Sequence, residues 1–477
     1  MIQKGKNLFL GKLKAGILCL SLAMGTVTAQ AQFNCGSDAI HQRMMQTDPA
    51  YAETYKKHHL AYLKSLGSSN QMQRSTQNNG CTTVYTIPVV FHVIHLGEAV
   101  GSGSNVSVAN INACLAKLNA DWRNTAGNAN SVDFEIEFVL ARRTPQGATS
   151  TGVNRVSGTG VTNYSANGIS LSAGDGGADE QAVKDLSKWP VSQYYNVWVV
   201  HDIAGAGTAG YAYYPNGSAY DGTVMLASTV NGSSLTLSHE VGHGFNLAHT
   251  FEGDNDGASC PTDTDCANQG DNICDTAPHK RSDCGTTSCT GVSANATNRT
   301  NSYNNIMSYC FLSPTRFTAG QKVRVRAAAD GPIRSPLLRS EGAIPVGQTV
   351  EAGIRNLVFQ SGSVCTSTFS PQIQLKNYGT SAITSATILC RIDGNVASTT
   401  NFSGSIATNA TQTITLNSVT VSSGSHTIEI EWTNIGGTGT CSKPDIGVDG
   451  TGVVHFTYTD SHGSKGDDYI YPDIMYA

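Results

Sequence analysis

The sequence of 477 residues has few charged side chains, because Asp, Glu, Lys and Arg together make up only 14% of it; about 25% is usual in a soluble protein. Those charges carry no basic excess, since the formal net charge is −5, and this excludes the positive surface that a nucleic-acid partner requires. The sequence also lacks an apolar run of the ~20 residues that span a bilayer, so we expect no membrane span. With 39% hydrophobic residues, the chain still has enough apolar side chains to fold.

The sequence is rich in cysteine, and its N-terminus has the pattern of a secretion signal, which is consistent with an oxidising compartment. The 13 cysteines are typical of a protein that folds in an oxidising compartment. The first residues are basic, Ala15 to Ala23 is a short apolar run, and Ala29-Gln30-Ala31 has the small-x-small pattern of a cleavage site. A membrane anchor is the alternative, but the apolar run is too short to cross a bilayer. We therefore predict a secreted protein, extracellular or at the cell surface, with a signal peptide over residues 1–31.

The rest of the chain changes character three times. Apolar residues at helical spacing and then a polar, cleavable stretch at residues 68–79 suggest a pro-segment. Strand, helix, strand, strand and helix patterns follow, typical of a mixed α/β domain. The first four are a strand at Tyr85 to His95, a helix around Ile111 to Trp122, and strands at Phe134 to Leu140 and at Tyr195 to Val200. Short alternating strands separated by turn signals then predict an all-β, immunoglobulin-like sandwich. The predicted divisions are a pro-segment at 32–82, a catalytic domain at 83–332, a sandwich at 345–460 and a tail at 461–477.

The stretch from Ser238 to His249 carries the chemistry. His239 and His243 are four residues apart, so on a helix their imidazoles lie on one face and converge. Neutral imidazole is a good zinc ligand, and Glu240 lies beside that face, placed to take a proton from water. His249 joins them only if the chain turns first, and Asn246 tolerates the left-handed conformation that such a turn needs. Three histidine ligands leave a fourth position open, which indicates a catalytic rather than a structural zinc site.

This motif, with Thr250-Phe251-Glu252-Gly253 after it, resembles the metzincin metallopeptidases of the pappalysin family, in particular their bacterial cytophagalysin-like and ulilysin-like branch. Asn305-Ile306-Met307-Ser308-Tyr309 is similar to the Met-turn of that family, and Phe317 to Gln321 resembles the start of its closing helix. The resemblance covers roughly Thr83 to Pro332. It implies an α+β catalytic domain with a mixed sheet and an active-site helix, placed before the sandwich.

The resemblance also implies roles for particular residues. His239, His243 and His249 would bind zinc, and Glu240 would act as general base and acid in the hydrolysis of peptide bonds in proteins. Met307 would form the floor under the ligands, and Tyr309 would stabilise the oxyanion. This chain departs from the family pattern at Asn246, where most members have Gly. The rival interpretation is therefore a catalytically inactive surface adhesion or binding protein built on the same domain.

A polar loop between the two motifs is rich in cysteine and aspartate. Its cysteines have no Cys-x-x-Cys spacing, so disulfides are expected rather than a zinc ribbon, and their pairing cannot be read from the sequence. The six residues concerned are Cys260, Cys266, Cys274, Cys284, Cys289 and, after the Met-turn, Cys310. Resemblance to a family calcium loop points to calcium around Asp271, Asp275 and Thr276, and a solvated acidic loop is the alternative.

Cys35 has two possible roles, and two regions nearer the C-terminus bear on specificity and binding. Cys35, in Asn34-Cys35-Gly36, stands just after the predicted cleavage site, where a thiolate could occupy the open zinc position and keep a zymogen latent; a disulfide is the other interpretation. The resemblance to metzincins also implies that the stretch after the Met-turn lines the pocket for the residue that follows the cleaved bond. Here that stretch, Cys310-Phe311-Leu312-Ser313, contains no acid, so we expect an apolar preference. The sandwich offers no catalytic cluster, and we expect it to bind substrate or a component of the cell surface.

Overall fold

A computed structural model gives the fold, and part of the chain lies outside what it describes. The described residues are 35–67, 84–204, 207–284, 289, 302–310, 315–347, 352–358, 368–421, 425–435 and 454–459. Several predicted features fall outside them: the signal peptide, the polar stretch 68–79, Phe311 to Ser313 and the tail 461–477. Among the described helices, none combines the length and the apolar character that a membrane crossing needs.

A six-stranded mixed sheet organises the first half of the described chain. Its strands are β1 (Tyr85–His95), β2 (Ile136–Leu140), β3 (Val153–Ser157), β4 (Tyr195–Val200), β5 (Gly210–Ala212) and β6 (Thr223–Leu226). The order is β2-β1-β4-β6-β5, and β3 pairs with β1 beyond the end of β2. All neighbours are parallel except β5 and β6, so β5 is an antiparallel strand at the edge of the sheet. The predicted mixed α/β domain is confirmed.

The described helices include several that begin at a side-chain cap. The helices are α1 (Ser37–Thr47), α2 (Pro49–Gly67), α3 (Val108–Trp122), α4 (Tyr164–Asn167), α5 (Glu180–Asp185), α6 (Thr236–Gly244), α7 (Ala319–Ala329) and α8 (Ser335–Leu338), with 3-10 turns at Ala227–Thr229 and Glu341–Ala343. Ser107 caps α3 by accepting a hydrogen bond from the Asn110 amide, so this helix starts before the apolar spacing that predicted it. A reciprocal capping box of Thr318 and Gln321 starts α7.

One difference from the sequence prediction has a backbone cause. Alternating apolar residues predicted a strand from Phe134, but β2 begins at Ile136. Glu135 has a φ of 58°, in the left-handed region, which interrupts the extended conformation before the strand. Phe134 nevertheless stays in the core, where its ring packs edge-on against Trp122 at a centroid distance of 5.0 Å.

The main core lies between the sheet and helices α3, α6 and α7, with Trp122 at its centre. The indole ring is fully buried, and Phe138 and Phe245 pack against it edge-on. Its Nε1–H donates to the carbonyl of Ser238, at the start of α6. The aromatic cluster around Trp122 therefore holds α6 in place from the core side, and edge-to-face contacts of this kind are favourable.

The residues predicted as a pro-segment form two helices on this domain. Helix α1 lies along the edge strand β5, and α2 packs on α7. Tyr62 of α2 stacks with the Arg324 guanidinium of α7, whose carbon lies 5.0 Å from the ring centroid. The packed domain also continues past residue 332, where the sequence predicted its end, because α8 rests on β1.

The described residues after 352 form antiparallel sheets. The strands are β7 (Ala352–Val358), β8 (Thr368–Phe369), β9 (Gln372–Asn377), β10 (Ile383–Ile392), β11 (Asn395–Ile406), β12 (Thr411–Thr415), β13 (Val419–Thr420), β14 (Ser425–Ile435) and β15 (Val454–Thr459). Sheets of order β11-β10-β14-β15 and β12-β9-β7 share one core that includes Ile373, Ile388 and Ile430. The all-β character is confirmed for these residues, and the immunoglobulin-like topology stays a prediction.

Candidate metal centre

Helix α6 carries the first part of the candidate site and is buried along its whole length. Two glycines permit this packing. A Cβ on Gly242 would lie 2.4 Å from the Met307 sulfur, and a Cβ on Gly244 would lie 2.0 Å from the Tyr195 hydroxyl oxygen. Any larger side chain at these positions would push the helix away from the Met-turn or the sheet.

Three imidazoles converge at one point beside this helix. The Nε2 atom of His243 lies 3.2 Å from that of His239 and 3.1 Å from that of His249, and the other two Nε2 atoms are 3.1 Å apart. A single point can lie ~2.0 Å from all three atoms, which is the zinc–nitrogen distance. The triangle of nitrogens therefore fits one metal ion.

The outer ring nitrogens fix which tautomer each histidine adopts. Nδ1 of His239 donates to the Ile306 carbonyl at 2.7 Å, and Nδ1 of His243 donates to the Leu247 carbonyl at 2.7 Å. Nδ1 of His249 donates to Asp38 at 2.8 Å. Because the proton sits on Nδ1, each Nε2 presents a lone pair to the common point. Burial also lowers the pKa of His239 and His243 well below the usual value, which keeps both rings neutral.

The turn after α6 brings His249 to the other two histidines. Asn246 has a φ of 73°, the left-handed conformation that the sequence predicted for this residue. Two buried arginines hold the turn by their Nε–H groups: Arg324 donates to the Asn246 carbonyl at 2.6 Å, and Arg334 donates to the Gly244 carbonyl at 2.9 Å. Arg334 also pairs with Asp221. Sequence reasoning missed both arginines, since nothing local marks a distant side chain that binds a helix end.

Met307 and Tyr309 approach the site from the Met-turn. Met307 is fully buried against Gly242, and its carbonyl accepts from the Thr250 amide at 3.2 Å. The Tyr309 ring centroid lies 5.0 Å from that of His249. Burial raises the pKa of the Tyr309 phenol, so its hydroxyl stays protonated and can donate a hydrogen bond.

Glu240 lies beside the three histidines, but its carboxylate is not part of the triangle of Nε2 atoms. Its Oε2 accepts from the Cys35 thiol at 3.3 Å and from the Ser37 hydroxyl at 3.1 Å. Its Oε1 is buried and has no hydrogen-bond partner among the described residues. Burial raises the pKa of Glu240 to about 8. A carboxylate with this pKa and one unengaged oxygen is suited to exchange protons near neutral pH.

Cys35 is a free, buried thiol at the fourth side of the site. Its sulfur lies 3.5 Å from Nε2 of His243, and the ligand atoms of Cys35 and the three histidines all lie within 4.8 Å of one another. The amide of Gly36 donates to the Gly210 carbonyl at 2.9 Å, so this segment is hydrogen-bonded to the edge strand β5. The alternative interpretation of Cys35 as half of a disulfide is wrong for this structure.

The structure adds two neighbours of Cys35 that sequence reasoning did not select. The Ser37 hydroxyl accepts from the Ala212 amide at 2.9 Å while it donates to Glu240. Asp38 supplies the carboxylate that accepts from His249. The only available signal was the proximity of both residues to Cys35 in the chain, and that does not identify a partner that lies more than two hundred residues away.

Two further histidines, one in β1 and one just after β4, have structural partners. His92 is buried, and its Nε2 lies 2.8 Å from Asn196 Oδ1. Nε2 of His201 donates to the Tyr164 carbonyl at 2.5 Å. Packing and hydrogen bonding therefore account for both.

The cysteine-rich loop is cross-linked as predicted. The pairs are Cys260–Cys289, Cys266–Cys274 and Cys284–Cys310. The carboxylate of Asp271 accepts from the Thr276 hydroxyl at 2.7 Å and from the Ile273 amide at 3.1 Å. Asp275 instead accepts from the Thr318 hydroxyl and the Gly320 amide, at the start of α7. No described cluster of three metal-ligating side chains includes Asp271 or Asp275.

A mixed sheet, a buried helix with two histidines, a third histidine beyond a tight turn and a methionine beneath them define a metallopeptidase domain of the metzincin type. Residues 177–330 match the family Peptidase_M43, described as pregnancy-associated plasma protein-A. Over these residues the chain is similar to that family, the pappalysins. Its place in the bacterial branch of the family stays a prediction.

Relatives and solved structures are similar over different shares of the chain. An extracellular metalloprotease of Sordaria macrospora is 27% identical over 64% of this chain and 90% of its own length. Extracellular metalloprotease 1 of Coccidioides posadasii is 34% identical over 27% of this chain and 47% of its own length. Mature mirolysin of Tannerella forsythia, solved with a cleaved peptide, is 26% identical, with a TM-score of 0.37, over 54% of this chain and 96% of its own.

Proposed function

We propose that the protein is a secreted zinc-dependent endopeptidase that cleaves peptide bonds in proteins and is made as a latent zymogen. The observation that carries the proposal is the convergence of three Nε2 lone pairs, each fixed by a hydrogen bond at the opposite ring nitrogen. Without a cation, three neutral acceptors at 3.1–3.2 Å would repel one another. The donor set therefore fits zinc, which supplies polarisation of a peptide carbonyl and a more acidic water when it is bound.

The chain's own residues would then move the protons. Glu240 takes a proton from the attacking water at its unengaged Oε1 and later delivers it to the leaving amine. Tyr309 donates its phenolic hydrogen to the oxygen that becomes negative in the transition state. Met307 provides a rigid apolar floor against Gly242, which keeps the histidines in place.

Latency would follow from the segment around Cys35. The sulfur faces the position that water and substrate need, and Ser37 engages the catalytic carboxylate at the same time. Tyr309 is occupied too, because its hydroxyl donates to the Cys35 carbonyl at 3.3 Å. Removal of residues 32–82 would release all three groups together.

Zinc removal gives the first test of the function. The processed protein should cleave casein or gelatin, and treatment with a zinc chelator followed by desalting should reduce the rate to background. Readdition of an equimolar amount of zinc should restore it, because the nitrogen triangle is held by the protein scaffold. Cleavage rates and bound zinc, measured by elemental analysis on the same samples, check this.

Two outcomes of this zinc experiment would contradict the proposed function. A processed, zinc-loaded and folded protein that cleaves neither casein, gelatin nor a broad peptide library contradicts the proposal and favours the inactive binding protein. Cleavage that survives complete loss of zinc would also contradict it. The antiparallel sheets after residue 352 are proposed to bind substrate or a component of the cell surface. Binding assays on the whole protein would test this.

Calcium at the loop around Asp271 is a separate proposal with its own test. Burial raises the pKa of Asp271 to about 7, so without a cation this group loses its stabilising effect on the fold as the pH rises from about 4 to about 7. Calcium would favour the charged form. At pH 8, calcium at about 100 times its dissociation constant should raise the Tm of the zinc-loaded protein by about 5 °C or more.

The matched variant is Asp271→Asn, which keeps the shape of the side chain and removes its charge. Calcium should not raise the Tm of this variant, and at pH 5 it should raise that of the wild type much less than at pH 8. A variant that is still more stable than the wild type at pH 8 in saturating calcium would mean that the buried charge has no cation. Calcium at this position would then be excluded.

A further inference from the structure

A guanidinium from the pro-segment sits in a second polar site on the catalytic domain. Arg43, on α1, donates from Nη1 to the Leu171 carbonyl at 2.9 Å and from Nη2 to the Tyr213 hydroxyl at 2.9 Å. Its Nη2 also lies 3.5 Å from the Glu180 carboxylate. Three oxygens from separate parts of the domain thus converge on one planar cation, the geometry that favours arginine over lysine.

This acceptor set is held by the catalytic domain without help from Arg43. Glu180 is only 6% exposed and accepts from the hydroxyls of Tyr211 and Tyr213 at 2.9 and 2.8 Å. Its other partner within the catalytic domain is Lys184, a fully buried ammonium at 2.8 Å. Because all of these groups lie after residue 83, they remain when the pro-segment leaves.

The position of the site relates it to the metal centre. Tyr213 directly follows the edge strand β5, which the Cys35 segment contacts at both ends: Gly36 at Gly210, and Ser37 at Ala212. A strand rises about 3.3 Å per residue, so Tyr213 lies about 10 Å along the edge from Gly210. This is the length of two to three residues of an extended peptide paired with the edge strand.

We propose that Leu171, Tyr213 and Glu180 form a subsite for an arginine side chain of the substrate, two to three residues from the cleaved bond. Arg43 occupies this subsite in the latent form. The inference rests on the proposed endopeptidase function and deepens it, since it names a class of substrate. It concerns a different position from the pocket directly after the cleaved bond, where the sequence predicts an apolar preference.

The test uses the processed enzyme and peptides in which arginine is placed, one position at a time, up to four residues on either side of the cleaved bond. Each peptide has a partner with citrulline, which has the same shape without the charge. At one position, two to three residues from the bond, kcat/KM should be at least about tenfold higher for arginine, as charge-assisted hydrogen bonds imply. In Tyr213→Phe this ratio should fall toward one.

Two further variants make the test specific. Tyr220→Phe is the matched control, because its ring also lies near Lys184 while its hydroxyl donates to Gln181 and not to the Arg43 site. The wild-type ratio should persist in it. The double variant E180Q/K184M removes both buried charges together, which avoids leaving one unpaired, and its ratio should also fall.

Binding to the processed Glu240→Ala form supplies a readout that does not need turnover. Fluorescence anisotropy should give about tenfold tighter binding for the arginine peptide than for its citrulline partner. Equal kcat/KM and equal binding at every position would overturn the subsite. Tighter arginine binding with no cleavage by the wild type would refute the proposed function and keep the subsite.

Discussion

Replacement of Glu240 by Ala is expected to lower the rate of peptide cleavage by about 10³-fold or more while the protein keeps its zinc. The size of the effect follows from the loss of a positioned general base, which contributes about 10²- to 10⁴-fold. Zinc should remain because the Nε2 atoms that face the common point belong to three histidines and not to this carboxylate. Steady-state rates on a quenched peptide and zinc content per molecule, measured on processed protein, check this.

Glu240→Gln provides the stricter comparison for this prediction. Gln keeps the size of the side chain and can still accept hydrogen bonds, but it cannot take a proton from water. Its activity should be as low as that of the Ala variant, with an unchanged Tm. If either variant retained a substantial fraction of the wild-type rate, the assignment of Glu240 as the general base would be wrong.

The second large effect is expected in the precursor. The Cys35→Ser precursor should show at least about tenfold more activity than the wild-type precursor, or should process itself earlier. Zinc binds a thiolate strongly, and a serine hydroxyl, which is not ionised at neutral pH, is a much weaker ligand. Activity must be followed together with the mass of the chain, so that leakage from the intact precursor is separated from cleavage of the pro-segment.

Cys114→Ser is the matched control for this experiment. Cys114 is also a free, buried thiol, but it lies in α3 within the hydrophobic core. Its replacement should leave the precursor latent. Cobalt substitution offers a second readout, because a sulfur-to-cobalt charge-transfer band should be present in the wild-type precursor and absent in Cys35→Ser. Unchanged latency in Cys35→Ser, with no such band in the wild type, would exclude the thiol as a metal ligand.

Local patterns predicted a large part of the fold. The apolar run at Tyr85 to His95 predicted β1 within its observed bounds, because a strand that is buried on both faces reads as continuous Val and Ile. Tyr195 to Val200 was predicted as β4 for the same reason. The ends of elements were harder to predict, as at Glu135, since one left-handed residue can stop a strand without changing its hydrophobic pattern.

Some residues of the candidate site could likewise be predicted from local spacing, and others could not. The spacing of His239, Glu240 and His243 predicted their arrangement because four residues make about one helical turn. The buried arginines that bind the turn, Arg324 and Arg334, lie about eighty to ninety residues further along the chain. Such pairs depend on how helices pack across the core, and no local pattern encodes that.

The sequence by itself determined which groups are available: the three histidines and the glutamate of the candidate site, the turn at Asn246 and the number of cysteines available for cross-linking. Only the tertiary structure decided which cysteines pair, that Cys35 faces the histidines, that Asp38 holds His249, and that Arg43 lies on Glu180 and Tyr213. The physical reason is one of range. Residue type and helical periodicity act over a few neighbours, whereas a buried polar group takes its partner from whichever part of the chain the packing brings near.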